Sequence, residues 1–157
     1  MKKIIILLIA VLLFAHGLYS QESRKGQKAV YLELAGNGVL YSINYEIFLS
    51  DNLSFRLGGS IIPFGGLTAT GTVMLNKVWG KERTSIETGF GITFITGSLV
   101  GIATDDMHST SYLFTGNIGL RVLSKKKRSI FRIGFTPLIF PSGFIPSVGI
   151  SFGSTWR

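Results

Sequence analysis

The sequence contains no cysteine. That excludes a disulfide framework, a thiol nucleophile and a thiolate metal site, and leaves no residue to carry a lipid anchor behind an export leader. Charge is also scarce. Only 15% of residues are Asp, Glu, Lys or Arg, against about 25% in an ordinary soluble domain, so little material is available to coat a water-facing surface. Proline occurs four times. Long apolar runs are missing after residue 20, because Gly or a polar residue interrupts each one. A membrane-spanning helix, which needs roughly 20 apolar residues, is therefore excluded there. Disorder is excluded too, since the chain is 46% apolar with a mean hydropathy of +0.41.

What the first twenty residues do contain is an export signal. Met1-Lys2-Lys3 precedes an apolar run from Ile4 to Ala15, and polarity returns at Gln21-Glu22. A basic start, a short apolar stretch and small residues at the exit make a signal peptide over 1–20. Cleavage after Ser20 leaves one domain, 21–157, with 14 basic and 8 acidic residues.

The dominant period of that domain is two. Val39, Tyr41, Ile43, Tyr45, Ile47 and Leu49 share one face, while Ser42, Asn44 and Glu46 take the other. The pattern predicts strands over 28–36, 39–49, 53–62, 67–79, 85–97, 111–123, 130–139 and 147–156, separated by Gly, Pro, Asn and Ser turns. Each is near the ~9–11 residues of a tilted membrane-crossing strand. Pro137 cannot donate a ladder hydrogen bond, so it marks a bulge or an end in strand seven.

The composition of the two faces decides which looks outward. One face is Gly, Ser, Thr, Asn and Ala with a few charges, which suits a narrow lumen. On the other, taken from Val30 to Leu34 in the first strand, Leu67 to Leu75 in the fourth and Ile86 to Phe94 in the fifth, only Gly59, Gly71, Thr88, Gly116 and Ser154 are not apolar, and none is charged. A Lys or Arg there would cost about 2–4 kcal/mol at a bilayer midplane. Backbone groups in hydrocarbon must all be paired, so a spanning sheet has to close on itself. The expected fold is all-β, a closed antiparallel up-and-down transmembrane β-barrel of about eight strands. The even strand number puts both termini at one end, the periplasmic one, with the turns at 50–52, 80–84 and 124–129. The loops at 37–38, 63–66, 98–110 and 140–146 then face outside.

Eleven basic residues fall at the periplasmic rim, among them the run Lys125, Lys126, Lys127 and Arg128. A solvated rim near lipid head groups accounts for that run, which has no stacking aromatics for nucleic acid. Trp79 and Trp156 belong to the same rim, and Tyr41 and Tyr112 to the outer one, as interfacial girdles. Arg56, Arg121 and Arg132 point into the lumen, as do Glu33, Glu46 and Glu87. Charges in a narrow barrel are costly unless paired, so these six are expected to form one network that plugs the interior. No catalytic, cofactor or metal site is expected. His108, beside Asp105, Asp106 and Ser109, lacks an oxyanion-hole or nucleophile-elbow context, and Gly89-Phe90-Gly91 lacks the remainder of a nucleotide motif.

With these residues in view, the chain resembles the small eight-stranded outer-membrane barrels of Gram-negative bacteria over 28–156. It is also similar to a group of exported barrels that open with Ala29-Val30-Tyr31-Leu32-Glu33-Leu34 and Gly36-Asn37-Gly38, continuing Leu40-Tyr41-Ser42-Ile43-Asn44-Tyr45-Glu46. Such barrels usually end in an outward aromatic read by the assembly machinery; here Trp156 is penultimate and Arg157 follows. The resemblance implies an outer-membrane location, with outer-membrane lipid and the insertion machinery as partners. The expected function is a non-enzymatic structural or surface-interaction role, as a monomer. Two alternatives stand beside it: a lipid-modifying enzyme using His108 at the outer rim, and a soluble barrel binding an apolar ligand, in which Phe90 and Phe114 would be shielded.

Overall fold

Among the described residues, the sheet closes on itself. The computed structural model describes residues 23–63, 67–80, 83–97, 111–126, 128–140 and 143–157. Its strands are β1 (Lys28–Ala35), β2 (Tyr41–Phe48), β3 (Leu53–Ile62), β4 (Thr68–Trp79), β5 (Thr84–Thr96), β6 (Ser111–Leu123), β7 (Ser129–Phe135), β8 (Leu138–Phe140), β9 (Gly143–Ile145) and β10 (Val148–Trp156). They pair in the order β5-β4-β3-β2-β1-β10-β7-β6, and a β5–β6 ladder closes the ring. All ladders are antiparallel. β8 prolongs β7 along β6, and β9 leads into β10, so the barrel has eight staves.

The two interrupted staves break at prolines. β7 stops before Pro137 and resumes at Leu138, as the missing N–H requires. The ladder is bridged there. Thr136 donates its N–H to Ser147 O at 2.7 Å, and Gly116 donates to Pro137 O at 3.2 Å. Pro146 similarly separates β9 from β10. β9 lies within the segment expected to be loop.

The two faces fall as the parity predicts. Along β4, burial alternates from Thr68 to Trp79 almost without a break. Phe90 is 70% exposed and Phe114 58%, which removes the soluble alternative: its ligand-lining aromatics stand on the outside. The exterior belt ends in aromatic girdles. At the end carrying the termini, Trp79 donates its indole N–H to Thr88 Oγ1 at 2.8 Å, satisfying a hydroxyl on the apolar face. The Lys77 ammonium lies 4.2 Å from the Trp79 ring centroid, so this outward-facing lysine reaches toward the rim. At the other end the Tyr41 hydroxyl donates to Ile61 O, and Tyr112 is exposed.

One expected outer loop is not at the surface. The β1–β2 connection folds inward as a 3₁₀ turn, Gly36–Gly38, whose three residues are all buried. Asn37 donates to Met74 Sδ at 3.0 Å and accepts from Thr115 Oγ1 at 2.5 Å, both across the lumen. Only glycine fits on either side of it. A Cβ on Gly36 would sit 2.8 Å from the Glu33 carboxyl carbon, and one on Gly38 would sit 2.6 Å from Ser42 Cβ. The flanking residues bear the strain of the inward bend. Ala35 has φ 57 and Val39 has φ 70 with ψ −68. Leu40 N–H closes a γ-turn about Val39 by donating to Gly38 O at 3.0 Å. Such conformations cost about 1–3 kcal/mol each for non-glycine residues, so the lumenal contacts of Asn37 must offset them.

The outward belt gives a depth-dependent prediction. Phe90 stands midway along β5, and Phe90→Arg is expected to destabilise the barrel in vesicles by about 2–4 kcal/mol, whereas Tyr112→Arg at the girdle costs about 0–1. Equilibrium unfolding in urea from lipid vesicles measures both. Equal costs at the two depths would contradict a lipid-facing belt.

Candidate functional site

The lumen is lined by inward residues of every stave, and six of them are charged. Glu33 comes from β1, Glu46 from β2, Arg56 from β3, Glu87 from β5, Arg121 from β6 and Arg132 from β7. All six are at most 5% exposed. Arg56 donates to Glu33 Oε2 at 2.5 Å and, through Nε, to Asn44 Oδ1 at 2.9 Å. Arg121 donates to Glu46 Oε1 at 2.9 Å and to Glu87 Oε2 at 3.2 Å. Arg132 pairs with Glu87 Oε1. The Glu46 carboxylate also accepts from Ser54 Oγ at 2.5 Å, and Asn117 donates to Glu87 at 2.9 Å.

Two features of this arrangement follow from register. Arg121 and Arg132 are direct cross-strand partners, a like-charge placement that is destabilising in itself. Glu87 resolves it by giving one carboxylate oxygen to each guanidinium. Glu46 and Arg56 are also cross-strand partners, yet each forms its ion pair elsewhere. Among the described residues, Glu46 Oε2 and Arg56 Nη1 are accordingly buried without a hydrogen-bond partner, as are both amide atoms of Asn76.

Tyr31 joins the two halves. It is 1% exposed, and its ring lies 5.4 Å from the Arg56 guanidinium and 4.7 Å from that of Arg132. Its hydroxyl accepts from Arg132. Arg121 in turn stands over Phe48 at 4.8 Å. The charges thus run Glu33–Arg56, across Tyr31, then Arg132–Glu87–Arg121–Glu46, with equal numbers of each sign. Sequence reasoning did not single out Tyr31. Its signal was parity: a Tyr on the lumenal side of a strand whose outward face is Val30, Leu32 and Leu34. Little space remains around the network. A cavity beside Glu87, Asn117 and Arg132 has a volume of about 10 Å³, roughly enough for one water.

The end with the termini is crossed by the segment before β1. Asp51 accepts from Ser23 Oγ at 2.6 Å and from Arg24 N–H at 3.0 Å. The Ser23 hydroxyl, with the Lys25 and Arg24 amides, holds the Asp51 carboxyl below its ordinary pKa. Arg24 reaches over the mouth to Gly80 O and Ser85 Oγ, both at 3.2 Å. Lys125, Lys126 and Arg128 lie exposed in the β6–β7 turn at this same end, and Arg128 and Ser129 N–H groups donate to Ser124 Oγ. Lys127 lies outside the described residues, as do residues 1–22, where a signal peptide is expected, and Asp105, Asp106, His108 and Ser109.

No protein-family model matches the chain, and no curated protein matches it by sequence. Solved structures do resemble it. The N-terminal β-barrel domain of Pseudomonas aeruginosa OprF aligns with a TM-score of 0.68 at 11% identity, covering 86% of this chain and 100% of that one. The Yersinia pestis outer membrane protein Ail, in a phospholipid bilayer nanodisc, aligns at 0.55 and 10% identity, covering 84% and 100%. At such identities the likeness is one of fold. The chain has the closed eight-stave barrel of the small outer-membrane proteins, and its apolar exterior is the one that an outer-membrane location demands.

The bridging position of Glu87 yields a quantitative expectation. Glu87→Gln leaves Arg121 and Arg132 facing each other with one fewer carboxylate, and is expected to lower the unfolding free energy by about 3–5 kcal/mol. Lys126→Gln at the rim should change it by less than about 1 kcal/mol. Guanidinium-induced unfolding of the detergent-refolded barrel distinguishes the two. Equal, small effects would mean that the network carries no structural weight.

Proposed function

We propose that this chain is a non-enzymatic integral outer-membrane protein whose barrel is plugged by the Arg/Glu network and which serves a structural or surface-interaction role. The observation that carries the reading is the occupied lumen. Six paired charges, Tyr31 and the inturned Gly36–Gly38 tip fill it, and the space beside Glu87 holds about one water. An eight-strand barrel has an interior just wide enough for its own side chains, which disfavours solute diffusion through it.

In this reading the barrel acts as a monomer, with outer-membrane lipid along the apolar belt and the insertion machinery as its partner during assembly. Trp156, outward-facing and 44% exposed, supplies the outward aromatic that this machinery reads. No cofactor, metal or nucleic acid takes part. Any surface interaction falls to the connections at the end away from the termini, of which 98–110 is the longest.

Planar-bilayer recording of the purified barrel tests this. The expected record shows insertion without steady ion conductance. A reproducible conductance carried by the unmodified chain would overturn the plugged reading.

A further inference from the structure

The basic rim contains a built cleft, not merely scattered charge. Between the β6–β7 turn and the end of β10 lies a cavity of about 570 Å³, within the size range of small-molecule sites. Lys126 and Arg128 enter it from the turn, and Arg157 from beyond β10. Arg157 is held across it by a hydrogen bond from its guanidinium to Ser23 O. The Thr155 N–H donates to Arg128 O at 2.9 Å, fixing the turn against β10. Among the described residues, no Asp or Glu side chain lines the cleft.

Its position selects the ligand. Gln27 forms part of the wall on the lumenal side, while Ser154 and Trp156, which belong to the lipid-facing side of β10, form the other. The cleft therefore opens at the membrane interface, at the level of an aromatic girdle, where a phosphate head group sits and acyl chains begin. Three cations, three hydroxyls and an indole at that depth match an anionic group carried on a lipid tail better than one free in solution. We infer that this cleft binds the head group of an anionic glycerophospholipid from the adjoining leaflet. The inference rests on the membrane-barrel reading above. Cations near an anionic lipid surface each favour association by about fivefold, so one fully engaged side chain already gives measurable selectivity.

Trp156 reports the occupant directly. The full mature barrel carrying Trp79→Phe has Trp156 as its sole tryptophan. It is reconstituted in phosphatidylcholine vesicles containing a minor fraction of either phosphatidylglycerol or phosphatidylcholine brominated high on the acyl chain. Quenching by the brominated phosphatidylglycerol is expected to correspond to an association at least about fivefold stronger. The preference should fall to near unity in the Lys126→Gln, Arg128→Gln double variant, and should shrink in about 1 M salt. Inorganic phosphate at constant ionic strength should leave it unchanged. Spin-labelled versions of the two lipids give the same comparison on the unsubstituted chain, should Trp79→Phe fail to fold. Equal quenching by both lipids overturns the inference while leaving the barrel intact. Loss of the preference to inorganic phosphate overturns it in favour of a soluble anion. Absence of quenching by either lipid removes the membrane-barrel reading itself.

Discussion

Three guanidinium groups and three carboxylates are buried together in one lumen, and the rest of the architecture depends on their being paired. Taking each ion out of water costs several kcal/mol, and only close, well-directed contacts offset that cost. The contacts here reach around the ring, from β1 to β3, from β2 to β6, and from β5 to β6 and β7. The Glu46–Arg121 pair joins opposite staves and cannot form until the barrel closes. The network also fixes register. A one-residue slip of a strand moves its whole lumenal face outward, and a slipped β3, β6 or β7 would present its arginine to lipid. An apolar filling could match the stability of the ion pairs but would not penalise a slip in this way.

The same constraint accounts for the strained tip. Glu33, Gly36 and Gly149 crowd one point of the wall, and the turn that follows β1 continues inward instead of projecting. Asn37 then meets Met74 and Thr115 from two other staves. Positive φ at Ala35 and Val39 is tolerated because these contacts hold the tip from several sides. Among the described residues the two ends differ accordingly: at one an inturned turn enters the lumen, and at the other the Ser23–Gln27 segment is tied to Asp51, Gly80 and Ser85.

Much of this was legible in the sequence because period two is a local signal. Strand bounds over 53–62 and 111–123 match the predicted ones, and the outward residues follow their parity. The six lumenal charges could be named for the same reason. Their pairing could not. Cross-strand reasoning would join Glu46 to Arg56, whereas closure brings Arg121 to Glu46 and sends Arg56 to Glu33. Tyr31 went unremarked because its contacts with Arg56 and Arg132 depend on the curvature of the closed sheet. Gly36-Asn37-Gly38 reads as a turn in any sequence, but nothing in its composition gives the direction in which a turn folds. The β9 segment was hidden by the prolines on either side of it, which are loop signals until a neighbouring strand supplies the pairing.

The closed barrel turns its apolar face to lipid in the outer membrane. The most direct measurement is fractionation of a Gram-negative host expressing the full chain, with gel mobility compared before and after boiling. The chain is expected in the outer membrane, with a mobility that changes on heating as the closed barrel opens. Recovery as a soluble periplasmic or secreted protein, with one mobility throughout, would contradict it.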